Sequence, residues 1–115
     1  MLVKRFADAQ PYEAPNHHDV RSLRLQGFEP QGPQSAWVGL SHFLPGGGAG
    51  PDASPLEKVY VVLAGSLNVR AGDDEVTLGP LDSCFIPGGQ TRAVKNLGNA
   101  VATLLVVMPY PPAVR

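Results

Sequence analysis

The three histidines are the side chains most able to move a proton or bind a metal near neutral pH. His42 lies within an apolar segment, residues 37–44, that has the composition of a β-strand. In a strand, side chains two residues apart share a face, so His42 shares one with Val38, Leu40 and Leu44. If that face is the interior, His42 is a candidate general base or metal ligand. If it is not, His42 is a packing residue.

The other two histidines, His17 and His18, are adjacent on a proline-containing stretch that is expected to be extended. Neighbouring side chains on an extended chain point in opposite directions, so at most one of the two can reach a given site. A mixed site that combines one of them with His42 is a hypothesis that the spacing allows but does not require.

Three further features have a structural interpretation beside a functional one. Tyr60 is either a packing residue or a proton donor. Cys84 is the only cysteine, which excludes an internal disulfide and fits a reducing compartment. The run Gly46-Gly47-Gly48 precedes neither a helix nor a Lys-Ser or Lys-Thr pair, so it predicts a turn and not a phosphate-binding loop.

Composition excludes several classes of partner. The 115 residues carry a formal net charge of −1, and the basic residues are scattered rather than clustered, so no nucleic-acid surface is predicted. No apolar run approaches the length of about 18 residues that a membrane helix needs. The N-terminus begins apolar and becomes polar, which is the reverse of a signal peptide. We therefore expect a cytoplasmic protein.

The elements that must position these residues are short strands. The 13 glycines and 12 prolines fall between apolar runs, a pattern typical of an all-β sandwich or barrel in a single domain. An extended arm is predicted at residues 9–19, and residues 45–48 are expected to end the strand before them. The predicted strands are residues 2–6, 20–25, 37–44, 58–63, 66–70, 75–78, 83–86, 92–96 and 102–108.

Two segments combine turn and strand residues at a characteristic spacing. The first runs from Pro45-Gly46-Gly47 to Ala64-Gly65, and the second contains Pro87-Gly88-Gly89 and Asn96. They resemble the paired motifs of the cupin superfamily, although Leu81 stands where the second motif usually has glycine. The resemblance covers about residues 37–108. It implies an antiparallel jelly-roll β-barrel with a site inside.

The resemblance also implies a domain organisation. The whole chain, residues 1–115, is predicted to be one cupin domain. Residues 1–36 form an N-terminal arm and strands, residues 37–108 form the core barrel, and residues 109–115 form a tail.

The metal-binding positions of the family carry different residues here. Aligned on the motif glycine and proline, the four ligand positions hold Asp52, Ser54, Lys58 and Arg92. Serine is a poor ligand, and the two cations would repel a divalent ion. A shift of one residue would place Glu57 at the family's glutamate position, but it would turn the strand's other side chains to the opposite face. We therefore predict no metal and no other cofactor.

The same alignment predicts a different kind of pocket. It points Lys58 and Arg92 into the barrel, where they would bind a small anionic or carbonyl-containing ligand. Asp52, Ser54 and Asn96 complete the predicted ligand-binding set. Near Arg92, the pKa of Lys58 would fall, making it a possible base or Schiff-base amine. The alternative is that Lys58 reaches the rim and pairs with Asp52, which leaves an inert barrel.

Three functional hypotheses follow. The first is a metal-independent isomerase, decarboxylase or cyclase acting on a small carboxylate, in which Lys58 and Arg92 hold the anion and His42 or Tyr60 moves protons. The second is a non-catalytic binding or sensing module with the same pocket. The third is a metal-dependent dioxygenase that uses ligands outside the motifs.

A homodimer is also predicted. The resemblance implies it, and the outward face of one strand would otherwise expose apolar side chains to water. These side chains are Val59, Val61 and Leu63.

Overall fold

Period-two alternation of side chains builds almost every element of this structure. The structure is a computed structural model and describes residues 1–112. A single 3-10 turn, Phe6–Asp8, precedes the first strand. The strands are β1 Gln10–Tyr12, β2 His17–Gln26, β3 Ala36–Ala53, β4 Lys58–Ala64, β5 Leu67–Ala71, β6 Asp74–Leu78, β7 Ser83–Ile86, β8 Thr91–Lys95 and β9 Ala102–Pro109.

Every strand pair is antiparallel, and the strands follow the order β6-β5-β8-β3-β9-β4-β7. β2 pairs with both β1 and β3. The first half of β3 pairs with β9, and its last residues pair with β8, so this one strand joins the two neighbours along its length. The result is a nearly closed antiparallel barrel, the jelly roll of the cupins, which confirms the predicted fold class.

The bend in β3 depends on glycine and on one asparagine. A Cβ atom on Gly47 would lie 2.4 Å from the backbone oxygen of Asp19, so no larger residue fits there. The backbone of Asn96 bonds to Gly46 and Gly47 across the bend. The Asn96 side chain, which is 1% exposed, donates hydrogen bonds to the carbonyl oxygens of Phe43 and Ala100. Asn96 therefore fixes the corner of the barrel.

The interior of the barrel is mainly apolar. β4 shows how the alternation works, because Tyr60 and Val62 are buried whereas Val59 and Leu63 are 37% and 40% exposed. The central members of the core are Phe43, Val62, Leu67, Val69, Leu78, Ile86, Val94, Ala102 and Leu104.

Two predictions about single elements are wrong. Residues 2–6 do not form a strand, and the first strand is β1, within the predicted arm. Residues 45–48 do not end a strand, because β3 bends there and continues to Ala53. No helix in the described part of the chain is long and apolar enough to cross a membrane.

Candidate functional site

A cavity of about 290 Å³ opens into the barrel from the end where β1 and the following arm cross it. This volume is close to the lower limit of about 300 Å³ for ordinary small-molecule pockets, so it suits a ligand the size of one sugar ring or a small acid. Apolar and aromatic side chains make most of the wall. The charged and polar side chains in the wall are Tyr12, Glu13, His17, Arg24, Ser41, Asp52, Ser54, Lys58, Tyr60 and Arg92.

Arg92 and Asp52 form a partly buried ion pair in this cavity. They are directly opposite each other in the register of β8 and β3. The Arg92 Nη1 lies 2.7 Å from the Asp52 Oδ1, and the two side chains are 8% and 34% exposed. The N–H bonds of Nη1 are not aimed at that oxygen, so the contact is electrostatic rather than an aligned hydrogen bond. Arg92 Nε donates a hydrogen bond of 2.8 Å to the Tyr60 hydroxyl.

Tyr60 is held so that its own proton is free for a ligand. Its oxygen accepts the hydrogen bond from Arg92, and its side chain makes no other hydrogen bond within residues 1–112. Burial raises the pKa of Tyr60, while the charge and hydrogen bond of Arg92 act in the opposite direction. Tyr60 is therefore a neutral hydroxyl group at physiological pH and a hydrogen-bond donor to the cavity.

Lys58 lies inside the barrel and not at its rim. The residue is 4% exposed, lines the cavity, and has no hydrogen bond or ion pair with any residue that the structure describes. The interpretation in which Lys58 pairs with Asp52 is wrong, because Asp52 pairs with Arg92 instead. Burial lowers the pKa of Lys58, and the positive charge of Arg92 lowers it further, against the opposing effect of Asp52.

His17 is the histidine that reaches the cavity. Its Nδ1 lies 2.8 Å from the carbonyl oxygen of Pro15. A carbonyl oxygen only accepts, so Nδ1 carries the proton and Nε2 keeps its lone pair in the neutral ring. Burial lowers the pKa of His17; the Pro15 hydrogen bond and Asp52 oppose this, whereas Arg92 and His18 add to it.

The lowered pKa of His17 predicts a loss of stability in mild acid. Because the folded-state pKa lies below the unfolded value of about 6.5, the unfolded chain binds more protons between the two values. The contribution of neutral His17 to the free energy of unfolding is complete above the unfolded pKa. It is lost progressively as the pH falls from that value through the folded-state pKa. Urea unfolding from about pH 5 to pH 8 should show this slope, and His17→Gln should reduce it. His18→Gln, an exposed control, should leave it in place; an equal slope in all three proteins would contradict the prediction.

Two charged residues of the cavity were not predicted from the sequence. Glu13 lies on the arm after β1, and Arg24 lies on β2. The Arg24 guanidinium stacks on Phe28 and Tyr12, with its central carbon 4.0 Å and 5.2 Å from the two ring centroids. Only the polar-apolar alternation of residues 20–25 could have indicated Arg24. Nothing local shows that the arm folds back and brings Glu13 to the site.

Other predicted site residues lie elsewhere. Of the two alternatives for His42, the one in which it faces the interior is wrong: the opposite face of β3, with Ser41 and Phe43, lines the cavity. The His42 Nδ1 lies 3.1 Å from the Thr103 hydroxyl. The placement of Asn96 in the ligand-binding set is also wrong, because its side chain fixes the barrel corner.

His18 and Glu57 are exposed and outside the cavity wall. The mixed histidine site does not form, since His17 reaches the cavity without His18 or His42. Ser54 does line the cavity, although its hydroxyl already accepts a hydrogen bond from the backbone N–H of Leu56.

Sequence comparison decides the family. The cupin domain family matches residues 39–108 of the chain. The chain belongs to the cupin family. This cupin is also 42% identical over 113 residues to a protein of Mycobacterium tuberculosis (strain ATCC 25618 / H37Rv) named beta-D-galactosidase Rv1717, and the match covers 98% of this chain and 97% of that one.

Solved structures share the fold of this cupin. The polyketide cyclase RemF from Streptomyces resistomycificus superposes with a TM-score of 0.84 at 23% identity, covering 100% of this chain and 84% of that one. A predicted oxalate decarboxylase from Thermotoga maritima gives 0.79 at 21% identity, covering 96% of this chain and 100% of that one. At such identities the likeness shows the fold alone.

The residues of this cupin do not fit the metal ion that many cupins bind. Two of the four family ligand positions hold cations, Lys58 and Arg92, and both line the cavity. A third position holds Ser54. Asp52 is the only anionic donor of the four, and it is paired with Arg92. Within residues 1–112, no group of three or more His, Cys, Asp or Glu side chains is arranged to hold a metal ion.

Proposed function

We propose that this cupin hydrolyses a β-D-galactoside in the barrel cavity without a metal ion. The observation that carries the proposal is the full-length relative named as a beta-D-galactosidase at 42% identity. The geometry supports it. The cavity has the size for one sugar ring, and its wall contains two carboxyl groups, those of Glu13 and Asp52.

Glycoside hydrolysis commonly needs two carboxyl groups on opposite sides of the scissile bond. Asp52 suits the group that faces the anomeric carbon, because Arg92 fixes one of its oxygens and the other has no hydrogen bond within residues 1–112. There it stabilises the positive charge that develops on the sugar ring. Glu13, exposed on the arm, suits the group that exchanges a proton with the leaving oxygen and water.

The remaining wall suits the sugar ring itself. Trp37 is 8% exposed and contributes an apolar surface against which the C–H face of a pyranose can pack. Tyr60 on β4 and Arg92 on β8 present hydrogen-bond donors to the hydroxyl groups of the sugar ring. A few convergent polar groups in an apolar wall are typical of small-molecule sites.

The direct test is incubation of the purified protein with 4-nitrophenyl β-D-galactoside. Hydrolysis is measured as the release of nitrophenolate. The α-anomer is the matched control substrate. We expect turnover of the β-anomer only, with the same rate after treatment with EDTA, since no step needs a metal ion. If neither anomer is cleaved, or if EDTA abolishes cleavage and added metal restores it, the proposal is wrong.

The excess of basic side chains in the cavity favours a second candidate, an enzyme acting on a small carboxylate. Three basic side chains, Arg24, Lys58 and Arg92, face two carboxylates, Glu13 and Asp52. Such an enzyme would be a metal-independent isomerase, decarboxylase or cyclase. Calorimetric titration with small mono- and dicarboxylates separates the hypotheses: saturable binding with product formation supports this enzyme, and binding without product supports a binding module.

We also propose that two copies associate through the outer face of β4 and β7. Val59, Leu63 and Phe85 are 37%, 40% and 55% exposed on that surface, which is unusual for large apolar side chains so close together. Light scattering should then give the mass of a dimer; a monomer at micromolar concentration would contradict this.

The cytoplasmic location stays a prediction from the sequence.

A further inference from the structure

Lys58 is an anomalous side chain that the proposed hydrolysis does not use. The residue is 4% exposed and lines the cavity, and it forms no hydrogen bond or ion pair with the residues that the structure describes. A buried ammonium group without a partner costs several kcal/mol, so a protein rarely keeps one in the charged form. Its placement in the cavity wall therefore favours either a ligand that partners the amine or loss of its proton.

The surroundings of Lys58 favour loss of the proton. Asp52 lines the same cavity, but it forms its ion pair with Arg92. Arg92 keeps its charge at any physiological pH and repels a second cation beside it. Burial and this repulsion lower the pKa of Lys58. A neutral amine with a free lone pair is a nucleophile.

The other two lysines of the chain lack these features. Lys4 forms an ion pair with Glu29. Lys95, at the end of β8, is exposed to solvent. Both therefore serve as internal controls in the same molecule.

We propose that Lys58 is a reactive amine that condenses with a small carbonyl compound, an aldehyde or α-keto acid, entering the barrel cavity. The grounds are its placement: it lines a cavity of about 290 Å³, it has no protein partner, and Tyr60 lies two residues further along the same inward face of β4.

The condensation balances without an additional reactant. The Nζ lone pair attacks the carbonyl carbon, and the carbonyl oxygen takes up a proton. The nitrogen loses its two protons as the C–O bond breaks, so one water molecule leaves and an imine remains. Tyr60 is positioned to donate the first proton and to recover it, because its hydroxyl oxygen accepts from Arg92 and its own hydrogen is unused.

The test uses glyoxylate as the carbonyl probe with sodium cyanoborohydride, which transfers hydride to an imine and leaves a stable carboxymethyl-lysine. Peptide mapping by mass spectrometry at neutral pH then gives the extent of modification at each lysine. We expect Lys58 to be modified at least about tenfold faster than Lys95, since a larger fraction of its amine is neutral. Modification of Lys58 no faster than that of Lys95 would overturn the proposal.

Two variants separate reactivity from folding. Lys58→Arg keeps a long basic side chain at this position and should lose the cavity adduct while Lys95 is still modified at its former rate. Tyr60→Phe should slow modification of Lys58 several-fold and leave Lys95 unchanged; no change at Lys58 would remove Tyr60 from the mechanism. The labelling uses no galactoside, so its failure and the failure of the proposed hydrolysis are separate results.

Discussion

Asp52→Asn is expected to lower the kcat for β-galactoside hydrolysis by about a thousandfold, at the upper end of the range of about 10²–10³ for removal of one electrostatic stabiliser of the transition state. The substitution keeps the size and hydrogen-bonding capacity of the side chain but removes the negative charge that faces the anomeric carbon. Because the loss falls on the transition state, KM should change much less than kcat.

The measurement is steady-state release of nitrophenolate by the folded variant, with the circular dichroism spectrum as a check of the fold. Ser54→Ala is the matched control, because Ser54 also lines the cavity but its hydroxyl is engaged by the Leu56 backbone. It should keep nearly full activity. If Asp52→Asn retains more than about a tenth of the wild-type kcat, Asp52 has no role in the chemistry.

The second large effect concerns stability. Asp52→Ala is expected to lower the free energy of unfolding by about 2 kcal/mol, because it leaves the Arg92 charge buried without a partner. Breaking a fully buried pair costs about 3–5 kcal/mol, and the partial exposure of Asp52 reduces that cost. The double variant Asp52→Ala/Arg92→Met should recover most of the loss, since it removes both charges.

A double-mutant cycle in urea measures this coupling directly. The control is the cross-strand pair Arg70 and Glu75, whose atoms lie 3.8 Å apart with side chains 66% and 56% exposed. Exposed pairs of this kind couple by less than about 1 kcal/mol. A double variant as unstable as the sum of its single variants would show that Arg92 and Asp52 do not stabilise one another.

Most of the barrel could be predicted from the sequence because its strands are short, β-branched and bounded by turn residues. The predicted strand 58–63 and the observed β4 begin at the same residue, and 83–86 and β7 coincide. The alignment of the motifs also placed Lys58 and Arg92 on inward faces. Here local pattern and tertiary structure agree, and such agreement is what makes a fold predictable.

The errors come from information that is not local. Alternation defines two faces of a strand but does not say which is interior, and for β3 the face with His42 is the outer one. The motif position of Asn96 predicts a contact with the ligand. Its hydrogen bonds instead join residues far apart in the chain, such as Phe43. Glu13 reaches the cavity only because the arm folds across the barrel.

The bend of β3 has a consequence for how this chain folds. Its first half pairs with β9, and the His42–Thr103 contact joins residues separated by 61 positions. Pairing between segments so far apart in the sequence raises the contact order and predicts slow folding. A long loop must close before the pairing is stabilised. On the ribosome, the edge of β3 that pairs with β9 stays open until β9 has been synthesised. A chain cut before β9 would therefore present this edge for pairing with other chains and would be prone to aggregate.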